Sequence, residues 1–314
     1  MIFGMQRRHV INATVAVGGL AASTLAGRHF LKTGWPLSHA NPWLVALTVV
    51  IFFFAYAAKA WGWQQLFKRG QRPAVLTLAA AAGGASVGGI ALPGRFDEVI
   101  RVAFVRRCRR RRASVGAVAL SLLLLGLLDS VALTPFASVA AGLGHANGWI
   151  EAGLIVVAVA GIAAAGVVLG LPRLARLKLV SRFRVAGWVA EHAAPPREAV
   201  WAYVGVAASW ALRSVALLVL LSAVGLGADF PLALVFLCAS SAAAVLPIAP
   251  AGAATQAGAG AAILVASGVH ASDAVAFGVA AQGLGILVGA VLVLALVAWH
   301  VGGRLRPAFA TLRV

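Results

Sequence analysis

Charged residues are scarce in this sequence. Only 11% of its 314 residues are Asp, Glu, Lys or Arg, whereas a soluble domain carries about 25%. Apolar residues make up 62% of the chain, and the mean hydropathy is +0.96. Runs of about twenty apolar residues, the length of helix that crosses a hydrocarbon core, recur along it. The sequence therefore excludes a soluble globular domain and predicts an all-α, polytopic transmembrane helical bundle.

Residues that carry catalytic chemistry are also few. The two cysteines, Cys108 and Cys238, have neither metal-ligand spacing nor the pattern of a disulfide framework. The seven histidines are scattered, and no phosphate-binding Walker loop, nucleophile elbow or pair of metal-binding carboxylates occurs. We therefore expect no catalytic residues, no metal and no cofactor. A membrane enzyme acting on lipid phosphates is the weakest alternative, because it would need a clustered acid, base or nucleophile.

Negative charge is the scarcest feature, with 8 acidic residues against 26 basic ones and a net charge of +18. A basic chain can bind nucleic acid. In a membrane protein, however, basic residues gather on the cytoplasmic side and contact anionic lipid headgroups. We therefore predict no nucleic acid partner. The expected location is a bacterial-type plasma (inner) membrane, with both termini cytoplasmic.

The apolar runs predict about six full spans. Their approximate bounds are 10–27, 43–67, 114–142, 149–171, 199–224 and 274–301. Lys59 lies about two turns from the inner end of its span, so its side chain is expected to extend to the interface. The arginine-rich run 106–112 is read as a topology anchor. The stretch 173–192 mixes apolar and basic residues and is read as an interfacial helix.

Two further apolar segments are interrupted by glycine and proline. Segment 73–93 has basic residues at both ends. One full crossing would put one of these basic ends outside, against the preference of basic residues for the cytoplasmic side. We therefore predict a re-entrant hairpin that enters and leaves on the cytoplasmic side. Segment 231–268 is broken at Pro247 and Pro250 and would enter from the other face. We treat the chain, 1–314, as one transmembrane domain whose halves, 1–142 and 149–301, each hold one such segment. Broken segments in corresponding positions are typical of inverted-repeat transporters with a cavity between them. The alternative is two ordinary helices packed through small residues.

Two ionisable residues lie midway along predicted spans. Asp129 falls in span 114–142 and Arg213 in span 199–224. A charge at the bilayer centre costs about 2.5–3.5 kcal/mol, so it usually faces a cavity or a partner. Either the two residues pair across the bundle, or Arg213 binds a lipid phosphate while Asp129 tunes it, because a guanidinium binds two oxygens at once. A purely structural ion pair remains the alternative.

A third charged group follows the first broken segment. Asp97 and Glu98 lie four and three residues before Arg101, so all three are neighbours on one face if this stretch is helical. The functional interpretation is a gate for a lipid headgroup, just beyond the tip of the re-entrant segment. The alternative is a local salt bridge worth only tenths of a kcal/mol.

Two motifs resemble those of one family. Residues 92–101 read LPGRFDEVIR, residues 246–252 read LPIAPAG, and residues 267–269 read SGV. They resemble the PGR-x-G-E-x-x-R and LP-x-x-PGG…GV stretches of the lysylphosphatidylglycerol synthetase transmembrane, or flippase-like, family. The order and spacing of the motifs and the helix count agree over nearly the whole chain. Several positions depart from the family pattern: Asp97, Ala251, Ala254, Ala257, Gly126 and Gln282.

The resemblance implies a flippase-like transporter that moves an anionic phospholipid or a polyprenyl-phosphate-linked lipid between leaflets, without synthesising it. The alternative is a non-catalytic scaffold or regulatory subunit of an envelope lipid or glycan synthesis complex, which the neutral motif positions would favour. An oligomer is compatible with either function. The predicted substrate-binding residues are Arg95, Asp97, Glu98, Arg101, Asp129, Arg213, Pro250, Gly252, Gln256 and Gln282.

Overall fold

The computed structural model describes residues 37–91, 96–107, 114–143, 148–174, 196–245 and 252–310. Within these ranges the chain is helical, without strands. The bounds of the helices are α1 (Pro42–Gln65), α2 (Val75–Ala91), α3 (Phe96–Arg107), α4 (Val115–Leu143), α5 (Gly148–Leu174), α6 (Pro196–Ala223), α7 (Phe230–Val245), α8 (Gly252–Ala266) and α9 (Ala271–Ala310). A 3₁₀ turn, Arg69–Gln71, lies between α1 and α2.

Five helices within the described ranges are long and apolar enough to cross a membrane. Their spanning parts are Pro42–Gln65, Val115–Leu143, Gly148–Val168, Arg197–Ala223 and Ala271–His300. These confirm five of the predicted spans and the all-helical fold class. The predicted span 10–27 and the interfacial helix predicted at 173–192 lie outside the described residues, except that the end of α5 reaches Leu174.

Short polar side chains determine where several helices begin. Asn41 Oδ1 accepts a hydrogen bond from the backbone amide of Trp43 at 3.0 Å, and Pro42 occupies the first turn of α1, where its missing N–H costs nothing. Ser114 and Asp229 cap α4 and α7 in the same way. Each cap satisfies a backbone donor that the helix leaves unpaired, so even mainly apolar segments have defined starts.

The first glycine-rich segment, 73–93, does not itself form the predicted hairpin: its described part is a single helix, α2, and the antiparallel partner is α3, which lies beyond that segment. A β-carbon added to Gly88 would contact Ile100, and one added to Gly84 would lie 3.1 Å from the ring of Phe104. The later residue of α2, Gly88, thus meets the earlier residue of α3, Ile100, and the earlier Gly84 meets the later Phe104. The two helices are therefore antiparallel. With 17 and 12 residues, they span only about 25 and 18 Å. Neither crosses a core of about 30 Å, so α2 and α3 together form a short helical hairpin that is displaced towards the C-terminus from the predicted one.

The second broken segment is itself a helical hairpin. Helices α7 and α8 pack against each other, and Gly260 of α8 lies against the ring of Phe236 of α7. Only residues 246–251 separate the two helices, so the chain reverses between them. They have 16 and 15 residues, about 24 and 22 Å. This segment is a pair of short helices, each too short to cross the bilayer alone.

The end of α8 explains one of the family-like motifs. Gly268 has a φ of +93°, a left-handed conformation that glycine adopts without steric cost. The amide of Val269 then donates to the carbonyl of Leu264 at 3.0 Å, closing the last turn. The Gly-Val pair therefore ends α8 and directs the chain into α9.

Helices α1 and α6 form an antiparallel pair at the centre of the bundle. Asn41 donates to the carbonyl of Ala223 at 3.0 Å, while at the other end of the pair Arg69 contacts Glu198. Between them the backbones touch: a β-carbon on Gly62 would lie 2.7 Å from the carbonyl oxygen of Ala202. Small residues let membrane helices approach this closely. We call this contact line the α1–α6 seam.

The helices of the two halves make corresponding contacts. Helix α2 packs on α9 and α7 packs on α4, so the first helix of each hairpin contacts the spanning helix that ends the other half. The two hairpins also touch through α2 and α8. Trp63, which is only 1% exposed, fixes α4 to α1 by donating from Nε1 to Ser121 Oγ at 3.0 Å. The buried core therefore surrounds the seam and joins both hairpins to it.

Candidate functional site

Asp129 forms an ion pair inside the bundle. Its Oδ2 lies 2.8 Å from Lys59 Nζ of α1, and its Oδ1 accepts a hydrogen bond from Trp210 Nε1 of α6 at 3.0 Å. The carboxylate therefore links three spanning helices, α1, α4 and α6. The side chains of Lys59 and Asp129 are 19% and 23% exposed, which leaves part of the pair open.

Two expectations about these residues were wrong. Lys59 does not extend to the membrane interface, because its ammonium turns inward to Asp129. The partner of Asp129 is accordingly Lys59 and not Arg213. The physical reason is the pairing of charge in an apolar medium, since each group would cost several kcal/mol there alone.

Arg213 lies between two aromatic rings. Its guanidinium carbon is 5.6 Å from the centroid of Tyr56 and 5.3 Å from that of Trp210. Both are cation–π distances. Its Nε is buried and has no hydrogen-bond partner among the described residues. The rings hold the cation in position but leave a donor unused.

Tyr56 connects this arrangement to the first hairpin. Its hydroxyl is 3.0 Å from Ser86 Oγ of α2 and donates to the carbonyl of Gly285 of α9 at 3.3 Å. The ring that faces Arg213 is therefore fixed by contacts with two other helices. Such support restricts the orientation of the side chains that contact a ligand.

The first hairpin contributes a second guanidinium. Arg101 Nη2 lies 3.5 Å from Asp97 Oδ2, one turn earlier on α3, which is the local salt bridge that the spacing predicted. Its Nε, like that of Arg213, is buried without a hydrogen-bond partner in the described part of the chain. Glu98 is exposed and takes part in an interaction of its own.

Lys59 is the electrostatic link between the two guanidinium groups. Lys59 Nζ and the Arg213 guanidinium lie 5.6 and 5.3 Å from the centroid of the same ring, that of Trp210, so these two cations are neighbours. Arg101 repels the Lys59 ammonium more weakly than Arg213 does. Asp129 pairs with Lys59 and Asp97 with Arg101, whereas Arg213 has no carboxylate partner in the described part of the chain. We call these three cations and two carboxylates the buried cationic cluster. With two spare N–H donors, it can bind an anion such as a phosphate.

The second hairpin contributes polar but uncharged groups. Gln282 Nε2 of α9 lies 3.4 Å from Gln256 Oε1 of α8, a long hydrogen bond. Helix α8 begins at Gly252, another of the predicted residues. Arg95 and Pro250 lie outside the described residues. The predicted polar site residues in the described ranges thus fall into a charged group on α3, α4 and α6, and a neutral pair on α8 and α9.

Three residues of the site were missing from the sequence prediction: Tyr56, Lys59 and Trp210. One signal could have found Lys59, because Asp129 requires a cation and only Lys59 and Arg213 fall within predicted spans. Trp210 precedes Arg213 by three residues, which puts both on one helical face. Nothing in the sequence marked Tyr56, whose role depends on tertiary contacts.

Comparison with known proteins agrees with the motif resemblance. A family model for the lysylphosphatidylglycerol synthase TM region matches residues 11–293, which is most of the chain. No curated protein and no solved structure gives a significant match. The resemblance noted from the motifs is therefore confirmed.

Proposed function

Because the chain belongs to the lysylphosphatidylglycerol synthase transmembrane family, we propose that it moves an amphiphile with an anionic headgroup between the two leaflets of its membrane. The family ties this multi-pass membrane protein to lipid metabolism or transport. An anionic phospholipid or a polyprenyl-linked glycolipid has the required chemistry. The finer assignment rests on the buried cationic cluster.

The observation that carries the proposal is the pair of unsatisfied guanidinium donors. Arg101 and Arg213 each have a buried Nε–H without a partner among the described residues. Leaving a buried donor unpaired costs about 1–3 kcal/mol, and more for a charged group. Each of these Nε–H groups can therefore donate to an oxygen of a bound ligand. A phosphate oxygen is the natural acceptor for a guanidinium.

The arrangement explains how a headgroup could enter an apolar bundle. Arg213, which has no carboxylate partner among the described residues, can offset the charge of a phosphodiester, which lowers the cost of moving it out of water. Asp129 holds Lys59 and Trp210, and Trp210 in turn faces Arg213. Asp129 thereby positions the binding groups, and its carboxylate is the candidate for proton coupling. The acyl chains would stay in lipid while the headgroup passes through the bundle.

A leaflet-exchange assay tests the proposal. The purified chain is reconstituted in liposomes with a fluorescent phosphatidylglycerol, and the outer leaflet is bleached with dithionite. Wild-type protein should increase the bleached fraction beyond the half that is reached in empty liposomes. Arg213→Gln should slow exchange about tenfold or more, the loss of one hydrogen bond to a charged group. Arg213→Lys keeps the positive charge but lacks the forked donors of a guanidinium. Its exchange rate should therefore lie between those of the wild type and Arg213→Gln.

Two controls separate transport from its alternatives. Lys68→Gln removes an exposed cation outside the cluster and should exchange lipid at the wild-type rate. Mass spectrometry of the recovered lipid detects chemical alteration, which would indicate a membrane enzyme. Unaltered lipid and no exchange by the wild-type chain, tested with both a phospholipid and a polyprenyl phosphate, would reject transport in favour of a scaffold. Full activity in Arg213→Gln would remove Arg213 from the site.

A further inference from the structure

A second polar site lies at the end of the α1–α6 seam, away from the buried cationic cluster. A pocket of about 270 Å³ opens there, between the last turn of α1, the 3₁₀ turn and the first turn of α6. Its walls include Arg69, Arg72, Arg197, Glu198, Trp61 and Trp201. Neither the motifs nor the predicted transport site includes any of these residues.

Glu198 is the unusual group in this pocket. Its side chain is only 8% exposed, and Oε1 lies 2.9 Å from Arg69 Nε and 3.2 Å from Arg72 Nη2. The other oxygen, Oε2, is buried and has no hydrogen-bond partner in the described ranges. A buried carboxylate oxygen without a donor is costly. The pocket therefore lacks a hydrogen-bond donor that a ligand could supply.

The charge of the pocket defines that ligand further. Three arginines face one carboxylate, so the pocket keeps two positive charges in excess. An ammonium donor for Glu198 would be repelled by the guanidinium groups of Arg69 and Arg72, whereas a hydroxyl donor would not. Arg197 is exposed and has no ion pair among the described residues, so it is available to an anion. These features favour an anionic group next to a hydroxyl.

The aromatic residues indicate a lipid and not a soluble ion. Trp61 and Trp201 are 37% and 47% exposed and meet edge to face at a centroid distance of 6.1 Å. They lie near the ends of two spanning helices, where tryptophan is enriched at the level of lipid headgroups. The exposed indoles form an apolar wall that matches the glycerol backbone of a phospholipid. The arginines beside them form a cationic wall that matches its phosphate.

The pocket is separate from the buried cationic cluster. Glu198 and Arg213 are fifteen residues apart on α6, about 22 Å along its axis. Between them, at Gly62 and Gly205, the backbones of α1 and α6 touch, with a β-carbon on Gly205 only 2.7 Å from Gly62 Cα. A headgroup cannot pass between the two helices at that contact. The two sites therefore bind ligand independently.

We propose that this pocket binds an anionic phospholipid whose headgroup carries a hydroxyl, with the phosphate on Arg72 and Arg197 and the hydroxyl donating to Glu198 Oε2. The indole pair of Trp61 and Trp201 covers the glycerol backbone. This binding site does not depend on transport, and either activity can fail without the other.

Native mass spectrometry of the full chain in detergent tests the proposal with two lipids of equal charge and equal acyl chains. Phosphatidylglycerol has headgroup hydroxyls, whereas phosphatidylmethanol has none. Wild-type protein should bind phosphatidylglycerol about tenfold more tightly, the value of one hydrogen bond to a charged acceptor. Glu198→Gln should abolish this preference, because the amide replaces the charged acceptor. Equal affinity of the wild-type chain for the two lipids would overturn the proposal.

Further variants keep the test decisive if Glu198→Gln does not fold. Arg197→Gln breaks no ion pair in the described structure and should weaken both lipids alike, about fivefold. Lys68→Gln, an exposed cation outside the pocket, should leave both affinities unchanged. An equal loss in both variants would indicate nonspecific attraction and reject the site. Competition by millimolar glycerol phosphate would reject the lipid as the source of the headgroup.

Discussion

The two hairpins share one construction but differ in charge. Each consists of two short helices joined by a few residues, and each contacts a spanning helix of the other half. In the first, α3 carries Asp97, Glu98 and Arg101. In the second, neither α7 nor α8 contains Asp, Glu, Lys or Arg. The same architecture thus holds a charged element on one side of the bundle and a neutral one on the other.

In our proposal, the anion binds on the side of the bundle that carries the charged hairpin. Each ionisable group at membrane depth costs about 2.5–3.5 kcal/mol, so the first hairpin would not retain Arg101 without a partner or a role. The second hairpin avoids that cost with the amides of Gln256 and Gln282. The departures from the family pattern at Ala257 and Gln282 lie on this neutral side. We therefore expect the charged side to determine substrate binding.

The largest effect is expected from placing a charge on the neutral side. Ala257 is 9% exposed, and its carbonyl oxygen would lie 2.8 Å from a β-carbon on Gly278, one turn before Gln282. Ala257→Glu should lower the free energy of unfolding by about 3 kcal/mol, since neither helix of this hairpin, α7 or α8, contains a Lys or Arg to pair with the new carboxylate. Adding Gln282→Arg should recover part of that loss. Thermal unfolding in detergent measures both.

The matched control is Ala257→Gln, which adds the same bulk without charge. If it destabilises the chain as much as Ala257→Glu does, crowding explains the loss and the neutrality of this hairpin has no electrostatic meaning.

The second effect concerns the ion pair on the charged side. Asp129→Asn leaves Lys59 without its counterion and should cost about 2 kcal/mol of stability, less than the 3–5 kcal/mol of a fully buried pair because both side chains are about a fifth exposed. Lys59→Met combined with Asp129→Asn removes both charges and should restore most of the loss. A double-mutant cycle by thermal unfolding gives the coupling energy, and a coupling near zero would show that the pair contributes nothing.

Much of the fold followed from the sequence because its signals are local. Runs of twenty apolar residues specify spans through the thickness of the bilayer alone. The prolines of segment 231–268 mark the interval between α7 and α8, whereas the glycines of segment 73–93 lie inside the continuous helix α2. Most helix ends agree with the expected bounds within a few residues, as for Val115–Leu143 against 114–142, but α9 continues to Ala310, past the expected 301. None of this requires knowledge of which helices pack together.

The site was predicted less completely because its pairing depends on packing. Asp129 and Arg213 were recognised as unusual from their positions in apolar spans. Which cation reaches Asp129 depends on how α1 and α4 are rotated about their axes, and a single sequence does not fix that rotation. Lys59 was therefore assigned to the interface. Tyr56 acts through Ser86 and Gly285, residues distant in the sequence that carry no signal of their own.

A third effect distinguishes a gate from a local salt bridge on α3. Arg101→Gln should slow lipid exchange about tenfold if its free Nε–H binds the headgroup. Asp97→Asn removes only the 3.5 Å contact and should change stability by tenths of a kcal/mol. The exchange assay with fluorescent phosphatidylglycerol compares the two variants. Equal rates in Arg101→Gln and Asp97→Asn would identify the pair as a surface salt bridge.

The smallest effect is expected at the amide pair of the neutral hairpin. Gln256→Leu removes a 3.4 Å hydrogen bond to Gln282, and interhelical hydrogen bonds in membrane proteins contribute about 0.6 kcal/mol on average. The free energy of unfolding should fall by about that amount, and the rate of lipid exchange should stay within about twofold of the wild-type rate. Gln256→Glu adds charge at the same position and is the sharper comparison. If Gln256→Leu instead slowed exchange as much as Arg101→Gln does, the headgroup would contact both hairpins, and the division into a charged binding side and a neutral wall would be wrong.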